Sequence, residues 1–447
     1  MSAFFERARE FFMQGLAHHE AGRFDAAEAS FEASLALVPA RASTLLNLGA
    51  TRVRQRRFEA ALAPLEAALA IEPDDLQALS HRGVALAALG RTEEALACHA
   101  RVLARDPSRL ANRLARADLC NALRRPAEAL ADFDAVLAAD PGHALAWCGR
   151  GEALQRLDAP DDALAAYEQA LARAPGLADG WSRRGGLLRD LGRLDEAAVC
   201  FEQALALGAD PELHGFFLAA VTGRRTPATA PPGYVAPLFD NYADSFDAHL
   251  LGELGYRAHL LVAEQVRALG RDRFESALDL GCGTGLCGPL LRPLVERLVG
   301  LDLSAAMLAK ARVLGVYDEL VQAELTAHLA TTPAVHDLLV AADTLIYVGD
   351  LGAVLAGAAR VTRPGAVFCA SLECVADEHT DVVLLPSLRY AHSERHVRER
   401  AAAAGWQVAG LVRQPIRHEQ RQPIDGLCVT LRRSQVPEQG APGRVPG

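Results

Sequence analysis

Three glycines at alternate positions follow a short apolar run in ALDLGCGTGLCGPLL, residues 277–291. Without a Cβ, Gly281, Gly283 and Gly285 let backbone N–H groups approach a charged ligand closely. Asp279 stands two residues before the first glycine, and Asp302 ends the next apolar run, 19 residues past Gly283. Gly283–Gly288 is formally G-x-G-x-x-G, and an acid some 20 residues on suits the ribose of a dinucleotide. However, the glycine turn begins at Gly281, directly after the strand, so Gly283–Gly288 runs too late, into the following helix. An acid at Asp279 is badly placed beside a pyrophosphate and well placed for an ammonium group. The D-x-G-x-G-x-G pattern therefore favours a zwitterionic amino acid joined to a nucleoside.

A ligand held there needs a partner group at the strand ends that follow. Candidates for a general base are Tyr347, Glu373, His379, Tyr390 and His392. His392 is preferred, with Tyr390 beside it, because histidine titrates near neutral pH. Nine cysteines are scattered along the chain. Cys282/Cys287 and Cys369/Cys374 are spaced C-x4-C, without the tighter pairs of structural zinc, so no metal is expected.

The elements that must carry these residues alternate from residue 258 onward. Strand candidates are 277–280, 298–301, 320–322, 337–342, 366–371, 407–412 and 427–432, with helices between the first five. This pattern predicts parallel βαβ units in a doubly wound sheet. RQPIRHEQRQPIDG is too polar for a crossover helix, so the last two strands are expected as an antiparallel edge hairpin.

The first half of the chain is periodic. Prolines fall at 39, 73, 107, 141 and 175, and Ala27, Ala61, Ala95, Ala129, Ala163 and Ala197 keep the same 34-residue phase. A small residue recurs at Gly15, Gly49, Gly83, Ala117, Gly151 and Gly185. Each proline ends a helix, because it lacks an N–H and restricts the residue before it. This period resembles the tetratricopeptide (TPR) repeat. The resemblance implies six helix pairs over 8–211 and a concave face that binds a protein or peptide. Arg113 and His99 are its weakest matches, so the repeats around them are expected to pack less well. Arg82, Arg116, Arg150 and Arg184 recur at one position. They form either a ladder for an acidic partner or a row paired with neighbouring acids. Residues 212–237 read as a closing helix and a Pro/Thr/Ala-rich linker, 238–433 as the second domain, and 434–447 as a disordered tail.

The second domain resembles the class I methyltransferases that use S-adenosylmethionine (SAM). VGLDLSAAMLAKA, 299–311, is similar to their second cofactor motif, with Asp302, Leu303 and Met307. Glu324 in VQAELTA matches the acid that meets the adenine amino group, and Asp343 lies at the active-site end of strand four. LFDNYADSFDAHLLGELGYRAH, SLRYAHSERHV and IRHEQRQPIDGL resemble segments of TPR-containing methyltransferases. This implies that Tyr242 and Arg257 cover the cofactor, Arg257 pairing with its carboxylate. The implied cofactor set is Tyr242, Arg257, Asp279, Gly281, Gly283, Gly285, Asp302, Leu303, Met307, Glu324 and Asp343. The implied function is SAM-dependent methyl transfer with a docking array. The alternative is a TPR scaffold carrying a weak or inactive methyltransferase-like domain. The acceptor, protein or small molecule, stays open.

The formal net charge of −10 argues against a nucleic-acid partner. The first thirty residues lack a secretory pattern, and no apolar run nears the ~20 residues of a membrane span. A cytoplasmic protein without membrane association is expected.

Overall fold

The computed structural model describes residues 2–243, 246–375, 380–419 and 422–434. His379 and the tail beyond Ser434 fall outside them. Contacts divide the chain into two compact units, Met1–Leu187 and Leu188–Gly447.

The first unit is helical throughout. Pairs run Ser2–Glu20 with Phe24–Leu37, Ala42–Arg54 with Phe58–Ile71, Leu76–Ala88 with Thr92–Arg105, and onward at the same interval. The close approach of each pair explains the small residue. A Cβ on Gly15 would lie 2.5 Å from the Phe31 ring, and one on Gly83 would lie 2.7 Å from the His99 ring. The turn inside each pair has a left-handed residue at Gly22, Arg56, Gly90, Arg124 and Asp158, again 34 apart. Glycine takes that conformation freely, whereas the arginines and the aspartate do so at about 1–2 kcal/mol each.

The two weak repeat positions are not loosely packed. His99 is buried with its Nδ1 2.9 Å from Asn112 Nδ2. Burial holds its imidazole down to about 4, so it packs as a neutral ring. Arg113 reaches the buried Asp132 at 3.1 Å, where Arg116 also binds at 2.6 Å. The arginine row is satisfied by acids 16 positions away: Arg82 with Glu66, Arg116 with Asp132, Arg150 with Asp134, and Arg184 with Glu168. The reading as a ladder for an acidic partner gives way to the paired row.

Among the described residues, the second unit contains a nine-stranded mixed sheet. Its strands are β1 (Phe274–Leu280), β2 (Val295–Asp302), β3 (Glu319–Gln322), β4 (His336–Ala341), β5 (Thr362–Cys374), β6 (Val382–Leu384), β7 (Tyr390–His392), β8 (Trp406–Glu419) and β9 (Gln422–Arg433). Order β3-β2-β1-β4-β5 is parallel throughout. β9 lies antiparallel to β5 along Val367–Glu373, and β8 lies outside β9. The expected hairpin is present, but the polar stretch assigned to its turn forms paired strand, Pro415 facing Asp425 and His418 facing Pro423. The short β7 extends β5 at Glu373 and Cys374, with β6 antiparallel to β7. Apolar side chains of β1, β2, β4 and β5 form cores on both faces of the sheet, as parallel strands require.

The segment expected as a free linker is built into this unit. Ala228 carbonyl accepts from the backbone N–H groups of Gly349 and Asp350, both at 2.8 Å, and Ala230 N–H donates to Tyr347 carbonyl at 2.9 Å. A helix then begins at Pro232. The preceding helix, Pro211–Thr222, buries Phe216 against Leu384, Leu388 and Tyr390. Among the described residues no helix is long and apolar enough to cross a membrane.

Candidate active site

A cavity of about 600 Å³ opens at the C-terminal ends of β1, β2 and β4, where open α/β sheets bind ligands. The opening loop forms its floor. Gly281, Gly283 and Gly285 have φ of +68°, +56° and +95°, which explains glycine at alternate positions. Asp302 at the end of β2 accepts from Gly283 N–H at 2.8 Å and Ser304 N–H at 2.9 Å. It thereby fixes the loop as well as facing the cavity. Ser304 caps the next helix through Met307 N–H at 3.1 Å.

Asp279 is almost fully buried and accepts from the Tyr317 hydroxyl at 2.7 Å. Burial pushes its carboxyl up to about 7, against the pull of that hydrogen bond, and the nearby Asp302 raises it further. The folded chain thus keeps a proton that the unfolded chain gives up near the ordinary 3.8. Stability should fall as pH rises between these values and level off above about 7. Asp279→Asn is expected to flatten that fall in cofactor-free protein. Denaturant melts at pH 5 and pH 8 test this, and parallel losses in variant and parent would contradict the assignment.

The segment before β1 closes over the loop. Asp240 accepts from Ser304 Oγ at 2.5 Å, and Asp247 from Thr284 Oγ1 at 2.6 Å. Tyr242 and Phe246 add aromatic wall, their rings 5.4 Å apart. Beyond β4, Thr344 Oγ1 donates to Leu280 carbonyl at 2.8 Å and presses on Gly281. Asp343, at φ +59°, is held by Arg417 Nη1 at 3.1 Å, and Arg417 also binds Glu373.

Tyr242, Asp279, Gly281, Gly283, Asp302, Leu303, Glu324 and Asp343 all line the cavity. Glu324 also caps the helix Leu325–Thr331 with both oxygens, taking Thr326 N–H at 2.9 Å and Ala327 N–H at 2.7 Å. Other expected site residues lie elsewhere. Gly285 packs under Leu314 and Tyr317, and Met307 is a fully buried core residue. Arg257 is exposed and away from the cavity lining; its backbone N–H donates to Ile416 carbonyl at 2.9 Å and its carbonyl accepts from Leu261 N–H at 3.0 Å. His392 is fully buried outside the cavity lining, and burial holds its imidazole down to about 3, so it is unsuited to be the base. Tyr390 is equally buried and donates to Pro227 carbonyl at 2.9 Å. Its role is to pin the former linker. Sequence reasoning missed Asp240, Asp247, Tyr317, Thr344, Arg389 and Arg417, although four of the six stand in the flanking segments that carry the resemblance.

This architecture defines a methyltransferase-type α/β domain behind helical repeats. Residues 278–370 match the methyltransferase domain family. Residues 12–75, 46–109, 81–144, 114–178 and 178–210 match tetratricopeptide repeats. The chain thus carries tetratricopeptide repeats followed by a methyltransferase domain.

It is 33% identical over 135 residues to malonyl-[acyl-carrier protein] O-methyltransferase of Yersinia pestis, covering 30% of this chain and 48% of that protein. It is 34% identical to trans-aconitate 2-methyltransferase of Paracidovorax citrulli, covering 30% of this chain and 46% of that protein. The chain thus spans about half the length of the curated relatives it matches. A tetratricopeptide repeat protein from Parabacteroides merdae is similar at 20% identity and TM-score 0.43, covering 54% of this chain and 92% of that one.

Proposed function

We propose that the domain 238–433 transfers a methyl group from SAM to an acceptor, and that the repeats 8–211 dock a protein that is, or carries, that acceptor. The observation supporting the cofactor is the left-handed glycine loop strung between two cavity-facing acids, Asp279 and Asp302. A cradle of this kind suits an amino-acid end beside Asp279 and a ribose at Asp302. Leu303 and Glu324 lie farther along, where an adenine would rest. The cofactor supplies an activated methyl whose leaving group departs as a neutral thioether. The residues of this chain bind, orient and exclude water. Tyr242 and Phe246 close the apolar side, while Asp247 ties that cover to the glycine loop at Thr284 and Asp240 ties it to Ser304 after β2. Positioning of this kind can supply roughly 7–11 kcal/mol of the barrier.

Calorimetry on the full chain should show binding of SAM and its demethylated product, and none of NAD. Binding of NAD alone would overturn the reading. The lining of the cavity lies wholly between Thr229 and Arg417. Removing 1–187 should therefore leave cofactor affinity unchanged and raise KM for a docked acceptor, whose local concentration the repeats increase. An unchanged KM would leave the repeats serving another partner.

A further inference from the structure

Resting on the cofactor reading above, we propose that the acceptor is a carboxylic acid, bound as its carboxylate by Arg389 and methylated on oxygen. The β6–β7 hairpin brings Arg389 to the cavity. Its turn is tight, Leu385 N–H meeting Arg389 carbonyl at 2.8 Å and Leu388 standing at φ +64°. The neighbouring Tyr390 anchors the strand to Pro227. The arginine is thus presented from a packed element. Its side chain hydrogen-bonds the Tyr347 hydroxyl, so a guanidinium and a phenol share one end of the cavity. A carboxylate matches that pair, because a guanidinium fork recognises planar anions and a phenol donates beside it.

The adjoining wall is apolar. Phe239 meets Tyr347 edge-to-face at 5.6 Å, and Val235 and Leu238 line the same cavity. That wall suits a hydrocarbon stem behind the carboxylate.

The chemistry available points the same way. An alcohol or ammonium acceptor must lose a proton; His392 and Tyr390 are buried away from the cavity, and His259, which lines it, is buried and stacked on the Tyr256 ring at 5.1 Å. Asp343, which does face it, is held by Arg417. A carboxylate needs no base. One of its oxygen lone pairs forms the O–CH3 bond while the S–CH3 bond breaks and its electron pair stays on sulfur. The products are a methyl ester and a neutral thioether, with no proton transferred.

The test uses full-length protein saturated with S-adenosylhomocysteine, titrated with linear dicarboxylic acids from succinate to sebacate, the matching diols, the matching diamines and alkyl phosphates. At least one dicarboxylate should bind about tenfold or more tighter than its diol and diamine. With SAM it should yield a base-labile methyl ester. Arg389→Gln should weaken that dicarboxylate at least about tenfold with unchanged S-adenosylhomocysteine affinity, and Arg389→Lys should restore part of it. Equal binding of diols, preference for diamines or phosphates, no binding by any acid, or an unaffected Arg389→Gln variant would each overturn the proposal. Loss of S-adenosylhomocysteine binding by the parent chain would instead overturn the cofactor reading. Should Arg389→Gln fail to fold, the selectivity series on the parent chain still decides.

Discussion

Gly281→Ala should abolish measurable cofactor binding and lower the melting temperature by several degrees. A Cβ at this position would lie 2.3 Å from Thr344 Oγ1 and 2.5 Å from its methyl group, inside any real contact. Thr344 cannot easily retreat, because its hydroxyl donates to Leu280 carbonyl. The backbone at φ +68° adds strain for any L side chain. Left-handed conformation costs about 1–2 kcal/mol and overpacking about 1–3 kcal/mol. For a unit of this size each kcal/mol shifts the melting temperature by about 2–4 °C. The double variant Gly281→Ala/Thr344→Ala removes the two nearest atoms and keeps the backbone strain, so it should recover only part of the loss. Differential scanning calorimetry of the three proteins reads this directly. Full cofactor affinity in Gly281→Ala would show that the loop is not the ligand's floor.

Asp302→Ala should weaken SAM binding by roughly 1.5–3 kcal/mol, the scale of hydrogen bonds to a charged group. That is about one to two orders of magnitude in Kd. Two losses combine. The ribose hydroxyls would lose their proposed acceptor, and Gly283 N–H and Ser304 N–H would lose theirs. Asp302→Asn separates the two, since its amide oxygen can still accept one of these bonds without the charge. The chain should remain folded, because Asp302 ends β2 beside a cavity and contributes no core packing. Titration calorimetry with S-adenosylhomocysteine, paired with circular dichroism, supplies both readouts. An unchanged Kd in Asp302→Ala would mean that the ribose is held elsewhere.

What the sequence made legible follows physical range. The repeats could be read because their determinants are local and recur: a small residue, its large partner 16 positions on, and a helix-ending proline. Strands β1, β2, β4 and β5 could be read because burial on both faces leaves continuous apolar runs such as LLVA at 338–341. The cofactor loop could be read because its glycines are demanded by its own backbone. The β6–β7 hairpin escaped, since three-residue strands carry no periodicity, and with it went Arg389. The docked stretch 227–232 escaped because its hydrogen-bond partners lie more than a hundred residues away at Tyr347–Asp350, and composition is silent about such pairing. His392 and Arg257 failed for the same reason. Residue type suggested chemistry, but tertiary burial put the histidine in a core and the arginine side chain outside the cavity. Arg417 was visible within IRHEQRQPIDGL, yet only the pairing of β8 with β9, and of β9 with β5, brings it to Asp343 and Glu373.

Lys310, the one lysine among 46 basic residues, lies exposed on the helix Ala305–Val313. That helix starts at the Ser304 cap, two positions from Asp302. Apart from the α-amino group, amine-reactive reagents therefore have a single target on the protein. A succinimidyl dye would be conjugated stoichiometrically in the last turn of the helix that follows the proposed ribose pocket. Its emission would follow occupancy in real time without engineered residues, giving ligand on- and off-rates for the natural sequence.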